Sequence, residues 1–203
     1  MFEKLILLWL AAAPLMGSAG PATLSVAGVG AAFGLRRGLR YFLGVVLGTA
    51  GALVAVATGV TALLLAAPAL AAALTIAAAL YILYLAWKIA TAPVGAALAR
   101  ETPPRFVVGL ALALANPKAF AAFGALFAGH PLLPDDPAAD AVLKVAALTL
   151  VILVSCSAWL AFGAAFARVL GDPVVGRWIN RLFAVMLIAS VALSLWRGFQ
   201  AAP

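Results

Sequence analysis

Two short stretches combine a proline with small or polar residues inside apolar sequence, and these are where chemistry is most plausible. They are Gly20-Pro21-Ala22-Thr23-Leu24 and Asn116-Pro117-Lys118-Ala119. Proline removes a backbone donor and clashes with the preceding turn, so each stretch predicts a helix break. A lysine at the centre of a membrane helix costs roughly 2.5–3.5 kcal/mol on insertion scales. A break beside such a cation suits the binding of a small polar solute. A structural kink with a snorkelling Lys118 is the alternative interpretation.

The composition requires a membrane environment for these stretches. Hydrophobic residues make up 67% of the 203 residues and charged residues only 9%. A soluble domain of this size could not cover so much apolar surface. The chain is therefore predicted to be a polytopic protein of the lipid bilayer. Its net charge of +7 does not indicate nucleic-acid binding, because basic residues of membrane proteins gather in cytoplasmic loops.

Apolar runs long enough to cross a bilayer, about 20 residues each, predict six transmembrane helices. The first and fourth contain the two proline breaks, and an arginine-rich loop over residues 34–40 follows the first. Gly44 and Gly48 in the second have the four-residue spacing that allows close helix packing. The six predicted spans are about Lys4–Val29, Tyr41–Leu65, Leu70–Ala90, Phe106–Gly129, Val142–Val169 and Ile179–Leu195.

The two halves of the chain repeat one pattern. The first span of each half is broken before a proline. The third span of each half ends with a tryptophan followed by a basic residue, at Trp87-Lys88 and Trp196-Arg197. Three spans per half is an odd number, so the second half must enter the membrane from the opposite side. The predicted fold is an all-α polytopic membrane protein with one transmembrane transporter domain, residues 1–203. It consists of two inverted three-helix repeats, about residues 1–92 and 105–200. Interrupted segments at matching positions of such repeats indicate a transporter binding site.

The loop charges predict an orientation. Arginines follow the first, third and fifth spans, whereas Lys4, Lys144, Arg197 and nearly all loop aspartates lie on the opposite side. The positive-inside rule then places both termini outside the cell.

The residues argue against an enzyme. Catalysis within the membrane would need paired carboxylates, a nucleophile with a base, or a metal set in the spans. His130 is the one histidine, and the nearby Asp135, Asp136 and Asp140 show no ligand spacing, so a solvated charged loop is predicted. Cys156 is the one cysteine, which excludes an internal disulfide. No catalytic residue, metal or cofactor is expected. No carboxylate lies in a predicted span, which leaves proton coupling open.

Four motifs resemble the LysE/RhtB family of amino-acid exporters. They are Gly20-Pro21-Ala22-Thr23-Leu24, the loop Gly34-Leu35-Arg36-Arg37-Gly38, the stretch 80–88 that ends Trp87-Lys88, and Asn116-Pro117-Lys118-Ala119. The resemblance extends over essentially the whole chain. It implies a six-helix secondary transporter in a bacterial inner membrane that exports amino acids or related small metabolites. Many family members carry an aspartate after the second-span glycine, where this chain has Gly48-Thr49.

The predicted solute site lies between the two breaks. Half-helix N-termini and Lys118 would bind the carboxylate of the solute. Hydroxyl groups and the carbonyls freed at the breaks would bind its ammonium group. As an alternative, the Thr49 hydroxyl bonds a preceding carbonyl of its own helix. For Tyr84 the alternative is a packing or membrane-interface role. The predicted substrate-binding residues are Gly20, Pro21, Thr23, Thr49, Tyr84, Asn116, Pro117 and Lys118.

Three other functions stay open from the residues. A membrane-embedded structural or assembly subunit without transport explains the hydrophobicity but not the paired breaks. An exporter of a different small ion is a second alternative, and a membrane enzyme is a third. The sequence also leaves a homo-oligomer open.

Overall fold

The computed structural model describes residues 1–59, 102–166 and 174–178, with scattered positions between 76 and 91 and between 181 and 192. Within this described part the chain is helical, with short links and no strand. Two of its helices are long and apolar enough to cross a membrane, and a bent pair makes a third crossing if counted as one span. The helices with defined bounds are α1 (Phe2–Gly17), α2 (Pro21–Ala57), α3 (Phe106–Leu114), α4 (Pro117–Gly129) and α5 (Pro137–Phe166).

Both proline stretches interrupt a helix. α1 ends at Gly17 and α2 begins at Pro21, while α3 ends at Leu114 and α4 begins at Pro117. The axes of α3 and α4 differ by 55°. Each proline occupies the first turn of the new helix, where its missing N–H has no cost and its fixed φ favours the helix. The short links between these helices therefore contain backbone carbonyl and N–H groups that lie outside a helix, within otherwise apolar sequence.

The predicted loop over residues 34–40 is wrong, because residues 35–40 are helical. Gly34 alone leaves the helical conformation, with φ 74° and ψ 176°. Only glycine adopts this region readily, since it has no Cβ. α2 therefore consists of two segments, residues 21–33 and 35–57. A methyl group at Gly38 would lie 3.2 Å from Val29 Cγ1. Nine residues of straight helix span about 13.5 Å, so the two segments are folded onto each other.

Glycines bring the backbones of α2 and α3 into contact. A Cβ at Gly48 would lie 2.5 Å from the Leu110 carbonyl oxygen, and one at Gly109 would lie 2.5 Å from the Tyr41 oxygen. Gly44 faces the Phe106 carbonyl even more closely. The predicted close packing at Gly44 and Gly48 is confirmed. It fixes α3, and with it the second helix break, against residues 35–57.

The first segment of α2 packs in the same way against α5. Gly30 faces the Leu160 carbonyl, and Gly163 faces the Ala27 carbonyl, in both cases with no room for a side chain. Indole N–H groups join α1 to α5: Trp9 Nε1 donates to the Ala147 oxygen at 3.1 Å and Trp159 Nε1 to the Gly17 oxygen at 2.9 Å. Both helix breaks are thus held within one packed group of helices.

The start of α5 carries an ion pair whose lysine is buried. α5 begins at Pro137, earlier than the predicted Val142, so Asp140 belongs to its first turn. Asp140 Oδ2 lies 2.7 Å from Lys144 Nζ, and Asp140 Oδ1 accepts bonds from Leu132 and Leu133 N–H groups at 2.6 and 2.8 Å. Lys144 also donates to the Phe127 oxygen at 2.9 Å. The prediction of a solvated charge at Asp140 is therefore wrong.

Other predicted bounds shift or fall elsewhere. α2 ends at Ala57 and a turn follows at Thr58 and Gly59, before the predicted limit at Leu65. The third and sixth predicted spans lie largely outside the described residues. Among the described residues no group of three or more His, Cys, Asp or Glu side chains could hold a metal ion.

Candidate functional site

The first break is built from the link Ser18-Ala19-Gly20 and the start of α2. Gly20 N–H donates to Thr23 Oγ1 at 2.9 Å. The Thr23 hydroxyl lies 3.2 Å from two carbonyl oxygens that could accept its proton, those of Ser18 and Gly20. Thr23 therefore caps α2 with both its lone pairs and its proton, as a threonine at this helix position can. The Thr23 hydroxyl is therefore already used in hydrogen bonds that stabilise the first break.

The second break is closed by Asn116. Its Oδ1 accepts the Lys118 N–H at 3.2 Å, and its backbone oxygen accepts the Ala119 N–H at 3.1 Å. Asn116 is buried, and asparagine is among the best residues for capping a helix N-terminus. The sequence predicts that the first N–H groups of α4 bind a solute carboxylate. Those of Lys118 and Ala119 already donate to Asn116.

Lys118 joins the two breaks across the molecule. Its ammonium group lies 2.7 Å from the Ser18 oxygen, 2.8 Å from Ser18 Oγ and 3.4 Å from the Ala19 oxygen. These oxygens follow the C-terminus of α1, the negative end of the helix dipole, which favours a cation. The Lys118 side chain is half-buried. It turns toward the first break rather than snorkelling away from the helices.

Gly20 makes room for that lysine. A Cβ at Gly20 would lie 2.9 Å from Lys118 Cδ and 3.0 Å from Lys118 Nζ. The backbone of Gly20 is extended, with φ −169° and ψ 177°, a conformation open to any residue. The need for glycine here is therefore spatial and comes from Lys118.

A cavity lies where the breaks meet. It is partly open, and about 30 Å³ of it is free for the centre of a water-sized sphere. This space holds one or two water molecules, so an amino acid needs the cavity to widen. Its described lining consists of Leu15, Met16, Gly20, Ala22, Thr23, Thr49, Asn116, Lys118, Ala119, Ala122, Ile152, Ser155 and Cys156.

Five of the eight predicted site residues line this cavity. They include both hydroxyls, Thr23 and Thr49, and the two polar residues of the second break. Thr49 Oγ1 donates to the Val45 oxygen at 2.8 Å, so its proton is used within its own helix. Pro21 and Pro117 shape the breaks from the first turns of α2 and α4 without being part of the described lining. Tyr84 is 51% exposed and is also not part of that lining.

Sequence reasoning missed the wall that α5 contributes. Ile152, Ser155 and Cys156 are part of the cavity lining. Ser155 and Cys156 are a polar pair in an apolar helix, and that was the available signal. Their place beside the breaks depends on the packing of Gly30 and Gly163, which no local pattern reveals.

The described fold and site define a class: a multi-pass helical membrane protein with a polar cavity at two helix interruptions. The family model "LysE type translocator" matches residues 14–198, so the chain belongs to that family. It is a membrane translocator and not an enzyme.

The chain is similar to relatives described as "Cysteine/O-acetylserine efflux protein". Those of Salmonella choleraesuis (strain SC-B67) and Salmonella typhimurium are 30% identical to it over 170 residues, which cover 83% of this chain and 86% of each relative. That of Salmonella paratyphi A is 29% identical over the same length. No solved structure matches the chain significantly. The family and these relatives support export of an amino acid or a related metabolite.

Proposed function

We propose that this protein exports small, uncharged-side-chain amino acids or their close derivatives across a bacterial inner membrane. The observation that carries the proposal is the Lys118 bridge, which brings both helix breaks to one cavity with polar groups in its lining. The lining also contains Leu15, Ile152 and Cys156, which suit a short, weakly polar side chain. Cysteine and O-acetylserine, named for the relatives, have side chains of this kind.

Alternating access would come from one inverted repeat rocking against the other about the two breaks. Residues 18–20 and 115–116 lie between helices and not within them, so these links are where the angle between neighbouring helices can change. The proposal keeps six membrane helices in one domain, with both termini outside. Opening the cavity for an amino acid would then be coupled to movement at these links.

The test is efflux from cells loaded with mixed dipeptides, which are hydrolysed to high internal amino-acid levels. Amino acids in the medium are compared for wild type, Lys118→Ala and empty vector at equal membrane expression. Cysteine and O-acetylserine are included in the panel. Lys4→Ala is the matched lysine control, because Lys4 lies outside the cavity and makes one bond to the Leu132 oxygen.

We expect one or a few small neutral amino acids to appear faster with wild type and Lys4→Ala only. Loss of efflux in Lys118→Ala at normal expression would place the function at the cavity. Equal efflux in all four strains across the panel would overturn amino-acid export. A membrane subunit without transport would give that result and a fixed copurifying partner.

A further inference from the structure

The oxygens that hold Lys118 form a site for a primary ammonium group. An ammonium has three N–H donors, and three oxygens converge on Lys118 Nζ. We define these three, Ser18 O, Ser18 Oγ and Ala19 O, as the ammonium site. None of them carries a full charge, and the α1 dipole adds to their attraction for a cation. The site therefore recognises the ammonium group and not the lysine chain that carries it.

A transported amino acid carries the same group. We propose that Lys118 occupies the ammonium site in the absence of solute, and that the solute's α-ammonium group replaces it there. Lys118 then pairs with the solute's carboxylate. This inference rests on the proposed function for the identity of the solute, but the ammonium site itself rests on the contacts alone.

The exchange balances charges and hydrogen bonds. Before exchange, one ammonium fills the site. After exchange, a second ammonium fills it and the released Lys118 meets one carboxylate. The first N–H groups of α4 cannot serve that carboxylate, because Asn116 already accepts those of Lys118 and Ala119. Lys118 is the one cation of the described lining, so it is the natural partner for the carboxylate.

The exchange defines the substrate class as zwitterions with a free primary ammonium and a free carboxylate. An N-acetylated amino acid cannot take the ammonium site. An amino-acid amide can take it, but leaves Lys118 without a partner. Both should be poor substrates. The described lining contains no acidic residue, so a second cation on the solute would have no carboxylate there.

The experiment measures binding of methylammonium, which has the ammonium group and nothing else. Purified wild type and Lys118→Met are titrated, and binding is read from the rise in half-unfolding temperature with ligand concentration. Methionine keeps an unbranched chain of similar length but vacates the ammonium site. Tetramethylammonium is the control, because it has the charge but no N–H donor.

We expect half-saturation by methylammonium at a concentration at least tenfold lower in Lys118→Met than in wild type, with no such change for tetramethylammonium. Equal methylammonium binding in both proteins overturns the ammonium site. An equal gain for both cations also overturns it, because it would show general attraction for charge. Adding Ser18→Ala to Lys118→Met removes one of the three oxygens and should reverse much of the gain.

A second measurement covers the case in which Lys118→Met does not fold. Lys118→Ala is purified with n-propylammonium, which restores the three missing carbons and the ammonium group. Recovery of folded protein with n-propylammonium but not with propyltrimethylammonium supports the site. Recovery with both, or with neither, overturns it.

The proposed function and the ammonium site can fail separately. Amino-acid efflux by wild type without a methylammonium gain in the variant leaves the function and removes the site. A methylammonium gain without any amino-acid efflux leaves the site and removes the function. Competition of wild-type efflux by amino acids, but not by their N-acetyl forms, tests the exchange itself.

Discussion

Two lysines of this protein lie among helices, and their surroundings differ. Lys144 is 2% exposed and pairs at 2.7 Å with Asp140, one turn earlier in the same helix. Lys118 is half-buried, lines the cavity and donates to uncharged oxygens 99 and 100 residues away in sequence. The carboxylate of Asp140 neutralises the charge of Lys144, and Lys144 therefore has a structural role. Among the described residues, only uncharged oxygens meet the charge of Lys118, so it can respond to an incoming carboxylate.

The comparison is tested most strongly by Lys144→Ala. Asp140 is partly exposed and would lose the cation that it pairs with, which costs about 1.5–3 kcal/mol of folding free energy. We expect low yield of monodisperse protein and a marked fall in half-unfolding temperature. Lys4→Ala, measured in parallel, should remain near wild type. If the two variants unfold alike, Lys144 has no structural role of this kind.

Gly48→Ala tests whether the position of Lys118 depends on the packing of α2 against α3. The new Cβ would meet the Leu110 carbonyl at 2.5 Å, and overpacking of this kind costs about 1–3 kcal/mol. Gly51→Ala is the matched control, because its Cβ would meet only a Leu114 methyl group at 3.1 Å. We expect Gly48→Ala to lower both half-unfolding temperature and efflux, and Gly51→Ala to change neither appreciably. Similar stability of both variants would contradict the close contact at Gly48.

Substitution by arginine should affect efflux differently at Lys118 and at Lys144. A guanidinium group matches a carboxylate but not three converging oxygens. We expect Lys118→Arg to lower efflux by about tenfold, the loss of one charge-assisted hydrogen bond. Lys144→Arg should keep its pairing with Asp140 and most of the efflux. The initial rate of efflux per unit of membrane-inserted protein measures this. Full efflux by Lys118→Arg would show that any cation suffices at this position.

Thr49→Val should have the smallest effect. The hydroxyl proton already bonds the Val45 oxygen, so only its lone pairs face the cavity. We expect efflux to fall by roughly threefold or less and the half-unfolding temperature to stay unchanged, since one such bond contributes about 1 kcal/mol. A loss as large as that of Lys118→Ala would instead make Thr49 a principal ligand. Competition with unlabelled substrate distinguishes weaker binding from slower transport.

The sequence predicted the helix breaks because their cause is local. Pro21 and Pro117 each lack an N–H and favour the first turn of a helix, whatever surrounds them. The packing at Gly44 and Gly48 was predictable for the same reason, from a spacing on one helix face. These features depend on residues within a few positions of one another.

The contacts between distant segments were not predictable in this way. No pattern near Lys118 shows that its ammonium reaches Ser18, and no pattern near Asp140 shows that α5 begins early enough to pair it with Lys144. Gly34 was read as part of a loop because three arginines follow it. Yet arginine is a good helix former, and one residue with positive φ was enough to turn the chain. The site prediction for Tyr84 depended on its type alone, and the structure gives it no place in the cavity wall.

The indole of Trp159 supplies an optical signal from the site. Its N–H bonds the Gly17 oxygen at 2.9 Å, one residue before Ser18, whereas the indole of Trp9 bonds the Ala147 oxygen in the other part of α5. Indole emission responds to the strength of the N–H hydrogen bond and to nearby charge. We therefore expect movement of the Ser18 link, or of the Lys118 cation beside it, to change the emission of Trp159. The protein has five tryptophans, so the difference between wild type and Trp159→Phe separates this signal from the other four, and the transport cycle can then be followed by fluorescence without an added dye.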